Sequence, residues 1–288
     1  MIDDLFAQFE GAFADSTIRS YRSDFSHFSD WCEENGIDPA SASQEDLAQF
    51  VEHMAAGSSG ATIRRHVASI GSIYKLSGKD DISKGPPVIL AMKRMYRRKG
   101  RAQRQATPLT YEVLTALLGA CGGGQRGLRD RILLRLGYET MRRRAELCKF
   151  KFEDLEVLPN GKAALHLRFS KTDQFGVGKL IPISAELLED IDHWSDLVGG
   201  RGYLLRRVYR TGEIGNELHP GAINRILQLL QKSSGVELSG NLSGHSFRVG
   251  AALDLLERGE SMEKIMLRGG WQSESTVIRY LRAWQVVQ

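Results

Sequence analysis

A chain of 288 residues exceeds the roughly 250 at which single cores stop growing, so two domains are expected. Hydrophobic residues at 42% and charged residues at 26% are ordinary for a globular protein, and no apolar run approaches the roughly 18 residues of a membrane span, which excludes a membrane protein. The acidic N-terminus lacks the basic start of a secretory signal, and Cys32, Cys121 and Cys148 have no CxxC spacing; both features point to a cytoplasmic protein with inert thiols and no zinc site.

The charge is unevenly placed. Residues 1–92 carry 7 Lys/Arg against 14 Asp/Glu, residues 93–104 carry 7 against none, and residues 105–288 carry 25 against 21. Along the first segment, Ile18, Tyr21, Phe25, Phe28 and Trp31 or Cys32 recur every three to four residues behind Asp15-Ser16-Thr17, which predicts a capped helix with an aromatic face. Ser43 opens a second helix with Leu47, Phe50, Val51 and Met54, and the Gly57–Gly60 cluster closes it. A third is predicted over 61–76, with Ile63, Val67, Ile70, Ile73 and Tyr74 inward and Arg64, Arg65 and Lys75 elsewhere. No acid occurs between His53 and Lys79, so this helix either faces nucleic acid or is a solvated surface. The run Lys93, Arg94, Arg97, Arg98, Lys99, Arg101 and Arg104 is either a solvated linker or a strap across DNA phosphates.

A fresh start at Thr107-Pro108 leads into predicted helices at 111–118 and 127–136. Alternation over 163–170, followed by a Gly-containing turn and Lys179–Ile183, predicts a β-hairpin with Lys171 at its bend. Helical spacing returns over 185–197, 221–232, 246–258 and 274–284. The fold expected is therefore mainly α: an α-helical domain at 1–92, a basic interdomain linker at 93–106, and a mixed α+β domain with a small β-hairpin at 107–288.

No phosphate-binding P-loop, HExxH or GxSxG motif is present, so the chemistry must come from a basic and aromatic set. His245 and Arg248 stand three apart where a helix begins, a pair suited to a phosphate near the positive end of the helix dipole. Trp271 follows, and Tyr280 lies nine residues beyond it. Upstream, Arg143 stands three residues before Glu146 on one helical face, with Arg142 and Arg144 read as phosphate or surface contacts.

This ordered set, with the segments SGHSFRVGAALDLLERG and IMLRGGWQS, resembles the tyrosine recombinase (phage integrase) family, nearest its Cre-like members. The resemblance implies a SAM-like core-binding domain followed by a catalytic domain. It further implies that Tyr280 attacks the scissile phosphate to form a 3′-phosphotyrosyl link. Arg143, His245, Arg248 and Trp271 would hold the phosphate, Glu146 would orient its basic neighbours, and Lys171 would protonate the departing 5′-oxygen. No metal, cofactor or ATP is required. The implied partner is double-stranded DNA with an inverted-repeat site, clamped by a homotetramer on two sites that passes through a Holliday junction. Such a protein is cytoplasmic and nucleoid-associated when bound. Met141 stands where many relatives have Gly, and only eight residues, Leu281 to Gln288, follow Tyr280, fewer than the family's docking tail, so subunit coupling is expected to be abbreviated or built elsewhere. A type IB topoisomerase or telomere resolvase would share the chemistry; a non-cleaving DNA-binding accessory protein or a helical interaction module would lack it.

Overall fold

Apolar spacing of three to four becomes helix α1 (Asp15–Glu34), with Phe25, Phe28, Trp31 and Cys32 buried along one face. Asp15 lies in its first turn; the cap position is Ala14, which makes no side-chain bond. Helix α2 (Gln44–Gly57) begins with a capping box in which Ser43 and Asp46 each bond the other's backbone N–H. Ser59 caps α3 (Gly60–Leu76), whose Ile63, Val67, Ile70, Ile73 and Tyr74 complete the core with Phe28 edge-on to Phe50 at 5.2 Å. The computed structural model describes residues 6–100, 105–159, 162–168 and 178–285. It divides into two compact units, Met1–Arg104 and Gln105–Gln288.

The linker expectation is corrected at its start. Residues 93–99 are the second half of α4 (Pro86–Lys99), which buries Val88, Ala91 and Met95 at helical spacing against the first unit's core. Its two leading prolines occupy the first turn, where a missing N–H costs no hydrogen bond. The basic run is also not free of acids: Arg94 and Arg98 pair with Glu52 of α2 at 2.7 and 3.4 Å. Arg101 and Arg104 lie outside the described residues.

The second unit runs α5 (Tyr111–Gly119), α6 (Gly124–Thr140), α7 (Arg144–Leu147), β1 (Leu155–Val157), β2 (Ala163–Leu167), β3 (Lys179–Ile183), α8 (Ala185–Val198), α9 (Ala222–Ser234), α10 (Ser246–Glu257), α11 (Met262–Gly269) and α12 (Glu274–Gln285). The expected hairpin gains a third antiparallel strand, giving the order β1-β2-β3 with Leu165 paired to Leu155 on one side and Ile181 on the other. α6 is apolar on several faces, burying Leu128, Ile132, Leu133, Leu134 and Leu136, and forms the centre of the main core with Trp194, Phe150 and Phe247. A smaller cluster of Met141, Val249, Leu253, Ile265, Trp271, Val277 and Leu281 packs α11 and α12 on α10. Burial pushes the thiols of Cys32 and Cys148 up to about 12 and that of Cys121 to about 11, so all three are poor nucleophiles at neutral pH. Among the described residues no helix is long and apolar enough to cross a membrane.

Candidate active site

The site is built at two tight turns brought side by side. The first follows α6, where Met141 takes φ 54° and ψ 32° and is the one non-glycine residue with positive φ among the described residues. A bulky side chain in this region costs of order 1 kcal/mol, which explains why glycine suits the position; here the Met141 side chain is wholly buried. The turn reverses the chain into α7, with Arg143 at its N-cap and Glu146 in its first turn. The Glu146 carboxylate accepts from the Arg143 backbone N–H at 3.2 Å and from Nη1 at 3.0 Å, one oxygen each. Burial would raise this carboxyl, but the Arg143 bonds and charge, joined by Arg142, hold it below the usual carboxylate range. Glu146 therefore stays ionised and fixes the direction of the Arg143 fork.

The second turn carries Trp271. α11 ends at Gly269, and Gly270 follows in the left-handed region at φ 65°. A Cβ at Gly269 would lie 1.9 Å from the Trp271 ring, so only glycine lets the indole fold back under the helix end. The Arg248 guanidinium sits 4.4 Å above that ring, within range for a cation–π contact. Arg248 is 3% exposed and projects from the first turn of α10, donating through Nη1 to the carbonyls of Met141 and, at 3.0 Å, Gly269. His245 occupies the N-cap of α10 at the surface. Desolvation first, then the charges of Arg248, Arg143 and Arg144, holds its pKa below 6.5. The imidazole is thus neutral at pH 7 beside a concentration of guanidinium charge, an arrangement that favours an anion and can accept a proton.

The structure therefore brings Arg143, Glu146, His245, Arg248 and Trp271 together. Tyr280 belongs to the backbone of α12, in the same unit; its side chain lies outside the described residues, as does the whole of Lys171. Arg142 departs from the expectation of a phosphate or surface contact. It is 3% exposed, and its Nε donates to the Thr140 carbonyl at 2.7 Å. Arg144 is exposed, as expected. In the first unit, Arg64, Arg65 and Lys75 reach the surface of α3, and Lys93, Arg94, Arg97, Arg98 and Lys99 that of α4. Arg65 is not an isolated cation: its Nη1 lies 2.9 Å from Asp24, a fully buried carboxylate on α1 that also accepts from Ser69 at 2.7 Å.

The family model described as the phage integrase family matches residues 108–285, and that of the phage integrase N-terminal SAM-like domain matches residues 5–77. The integrase/recombinase XerD homolog of Selenomonas ruminantium is 30% identical over 280 residues, covering 93% of this chain and 82% of the relative. The Cre recombinase of Escherichia phage P1 is 25% identical over 94% of this chain and 85% of its own. A dimer of lambda integrase residues 75–356 bound to a COC′ core site shares the fold, with a TM-score of 0.67 at 17% identity over 96% of this chain and 93% of that fragment. The chain belongs to the phage integrase family, the tyrosine recombinases, and is an enzyme of site-specific recombination that cleaves and rejoins DNA.

Proposed function

We propose that Tyr280 is the nucleophile and that Arg143 and Arg248 stabilise the pentacoordinate phosphorane-like transition state through which it attacks. The observation that carries this reading is the convergence of Arg143, His245 and Arg248 at the paired turns, with Glu146 and Trp271 holding the two arginines in place. Charge grows on the non-bridging phosphate oxygens during attack, and forked guanidiniums match those oxygens in pairs. A phenol with an ordinary pKa of about 10 is favoured as phenolate by the same charge, with neutral His245 taking the proton. Trp271 supports Arg248 from beneath and offers its indole N–H as a further donor. The bond formed is Tyr280 Oη to phosphorus, the bond broken is phosphorus to the 5′-oxygen, and Lys171 supplies the proton that oxygen needs. The energy of the broken bond is kept in the phosphotyrosine, so a 5′-hydroxyl from a second duplex can reverse the step without ATP and leave a Holliday junction.

The DNA is held, in this reading, by the exposed cations Arg64, Arg65 and Lys75 on α3 and by Lys93, Arg94, Arg97, Arg98, Lys99, Arg101 and Arg104. The domains are a core-binding one that takes in the whole of α4 and a catalytic one at 107–288, with the basic sequence after Lys99 between them. A homotetramer on two inverted-repeat sites performs the exchange, in the cytoplasm and on the nucleoid. The test is a nicked duplex carrying the site that the protein selects from a randomised pool. With EDTA and no nucleotide, the expected product is a covalent adduct through the 3′-phosphate at the break, with a free 5′-hydroxyl on the other fragment. An adduct through a 5′-phosphate, or none from the wild-type chain, overturns the assignment.

The neutral state of His245 sets a pH dependence. Its pKa in the folded protein is depressed, so the neutral form is fully present above 6.5 and is lost as pH falls through the lower folded value. The adduct-forming efficiency at limiting DNA is expected on this account to fall as pH drops, with the midpoint of that fall below 6.5. In His245→Gln, which cannot titrate, this limb disappears; its persistence there would assign it to another group.

A further inference from the structure

A helix leaves its last carbonyls without intrahelical donors. At the end of α11, two residues before Trp271, three successive carbonyls are taken by cations from three other parts of the unit. Lys179 Nζ, from β3, donates to the Leu267 carbonyl. Arg142 Nη2, from the turn after α6, donates to that of Arg268. Arg248 Nη1, from α10, donates to that of Gly269 at 3.0 Å. The two arginines repeat one span. Arg142 joins the carbonyl of Thr140 to that of Arg268, and Arg248 joins the carbonyl of Met141 to that of Gly269. Adjacent carbonyls of the Arg143 turn are thereby tied to adjacent carbonyls of the Trp271 turn by two guanidiniums. The negative end of the α11 dipole favours such cations. The packing is close: a Cβ at Gly270 would come within 2.7 Å of Arg142 Nη1.

From this we infer that Arg142 is a positioning residue for strand cleavage, with Lys179 as its companion: the two cap α11 and hold the Trp271 turn against the turn that carries Arg143. The inference rests on the proposed active site. Arg142 cannot serve as a phosphate contact while it is 3% exposed, and its hydrogen bonds go to backbone on both sides of the junction. Burial, then the charge of Arg142, lowers the pKa of Lys179 from its ordinary value, as expected where two cations meet at one helix end. Lys179 also secures the start of β3, immediately after the segment that contains Lys171.

The experiment uses the full chain, the nicked duplex described above, and a matched duplex in which a methyl group replaces one non-bridging oxygen of the scissile phosphate. Arg142→Met is expected to slow adduct formation at saturating DNA on the order of 10²-fold, the cost of a displacement near 1 Å at reacting groups. Its affinity for DNA and the salt dependence of binding remain those of the wild type. Lys179→Met is expected to lose less, and Arg142→Lys to recover part of the rate. On the neutral methylphosphonate the Arg142→Met deficit shrinks, because the arginines it positions then have less charge to stabilise; a folding defect would slow both substrates alike. Gly270→Ala, which pushes on Arg142 from the other turn, should reproduce the pattern should Arg142→Met fail to fold. Wild-type rate in these variants at saturating DNA overturns the inference, as does an equal deficit on both substrates. A salt dependence of binding reduced by about one phosphate contact does so too. Should the wild type form no adduct, the recombinase site itself fails; should the wild type react and Arg142→Met match it, only the positioning role fails.

Discussion

Arg248→Ala is expected to lower the rate of adduct formation at saturating DNA by roughly 10²–10³-fold, the scale of removing one preorganised donor from a developing anion. A second loss accompanies it. Two buried carbonyls, those of Met141 and Gly269, lose the Nη1 donor that joins them, and the Trp271 face loses its cation. An orphaned buried carbonyl costs about 1–3 kcal/mol, so the denaturation midpoint should fall as well. Arg143→Ala should bring a similar loss of rate and a stability cost of a different origin, because the partly exposed guanidinium holds the buried Glu146 carboxylate through the 3.0 Å ion pair. Both variants should lose more in rate than in affinity, since they act on charge that appears only in the transition state. Variants that bind DNA poorly yet react at the wild-type rate once saturated would show that the two arginines hold the ground state only.

Lys171→Met is the second large effect, about 10²–10⁴-fold on the same assay, the range of a general acid. Its cause can be isolated chemically. An alkoxide leaves poorly without a proton, whereas a thiolate, whose conjugate acid has a pKa near 8.5 in cysteine, leaves without help. Replacing the bridging 5′-oxygen of the scissile phosphate by sulfur should therefore restore Lys171→Met toward the wild-type rate and leave Arg248→Ala slow. Lys179→Met should not be restored by sulfur, because Lys179 is bonded to the Leu267 carbonyl and supports the site through backbone. If sulfur restores Lys179→Met and not Lys171→Met, the acid has been assigned to the wrong lysine.

The local geometry of the proposed site is legible in the sequence wherever it is written at short range. His245 and Arg248 share the first turn of α10, Arg143 and Glu146 share a carboxylate three residues apart, and Ser43 with Asp46 builds its own cap. The periodic aromatic face of α1 and the alternation of β2 belong to the same class of signal. What escaped was decided at long range. Arg142, Arg143 and Arg144 look alike in a row; that Arg142 turns inward is settled by the Arg268 carbonyl at the end of another helix. Arg65 resembles a free surface cation until Asp24 of α1 is placed beneath it. Helix α4 was hidden by two prolines and a run of like charge, although Val88, Ala91 and Met95 carry helical spacing through both. Helix α11 has only Ile265 and Gly269 buried, too few for a period to register. Strand β1, three residues long, is too short to show alternation.

The assignment of Tyr280 is tested most directly by isolating the protein–DNA adduct formed on the nicked duplex in EDTA, digesting both components, and locating the nucleotide by mass spectrometry. The remnant is predicted on the peptide that contains Tyr280, and Tyr280→Phe is predicted to bind the duplex with wild-type affinity and yield no adduct. A nucleotide carried by any other residue, or an adduct that persists in Tyr280→Phe, would contradict it.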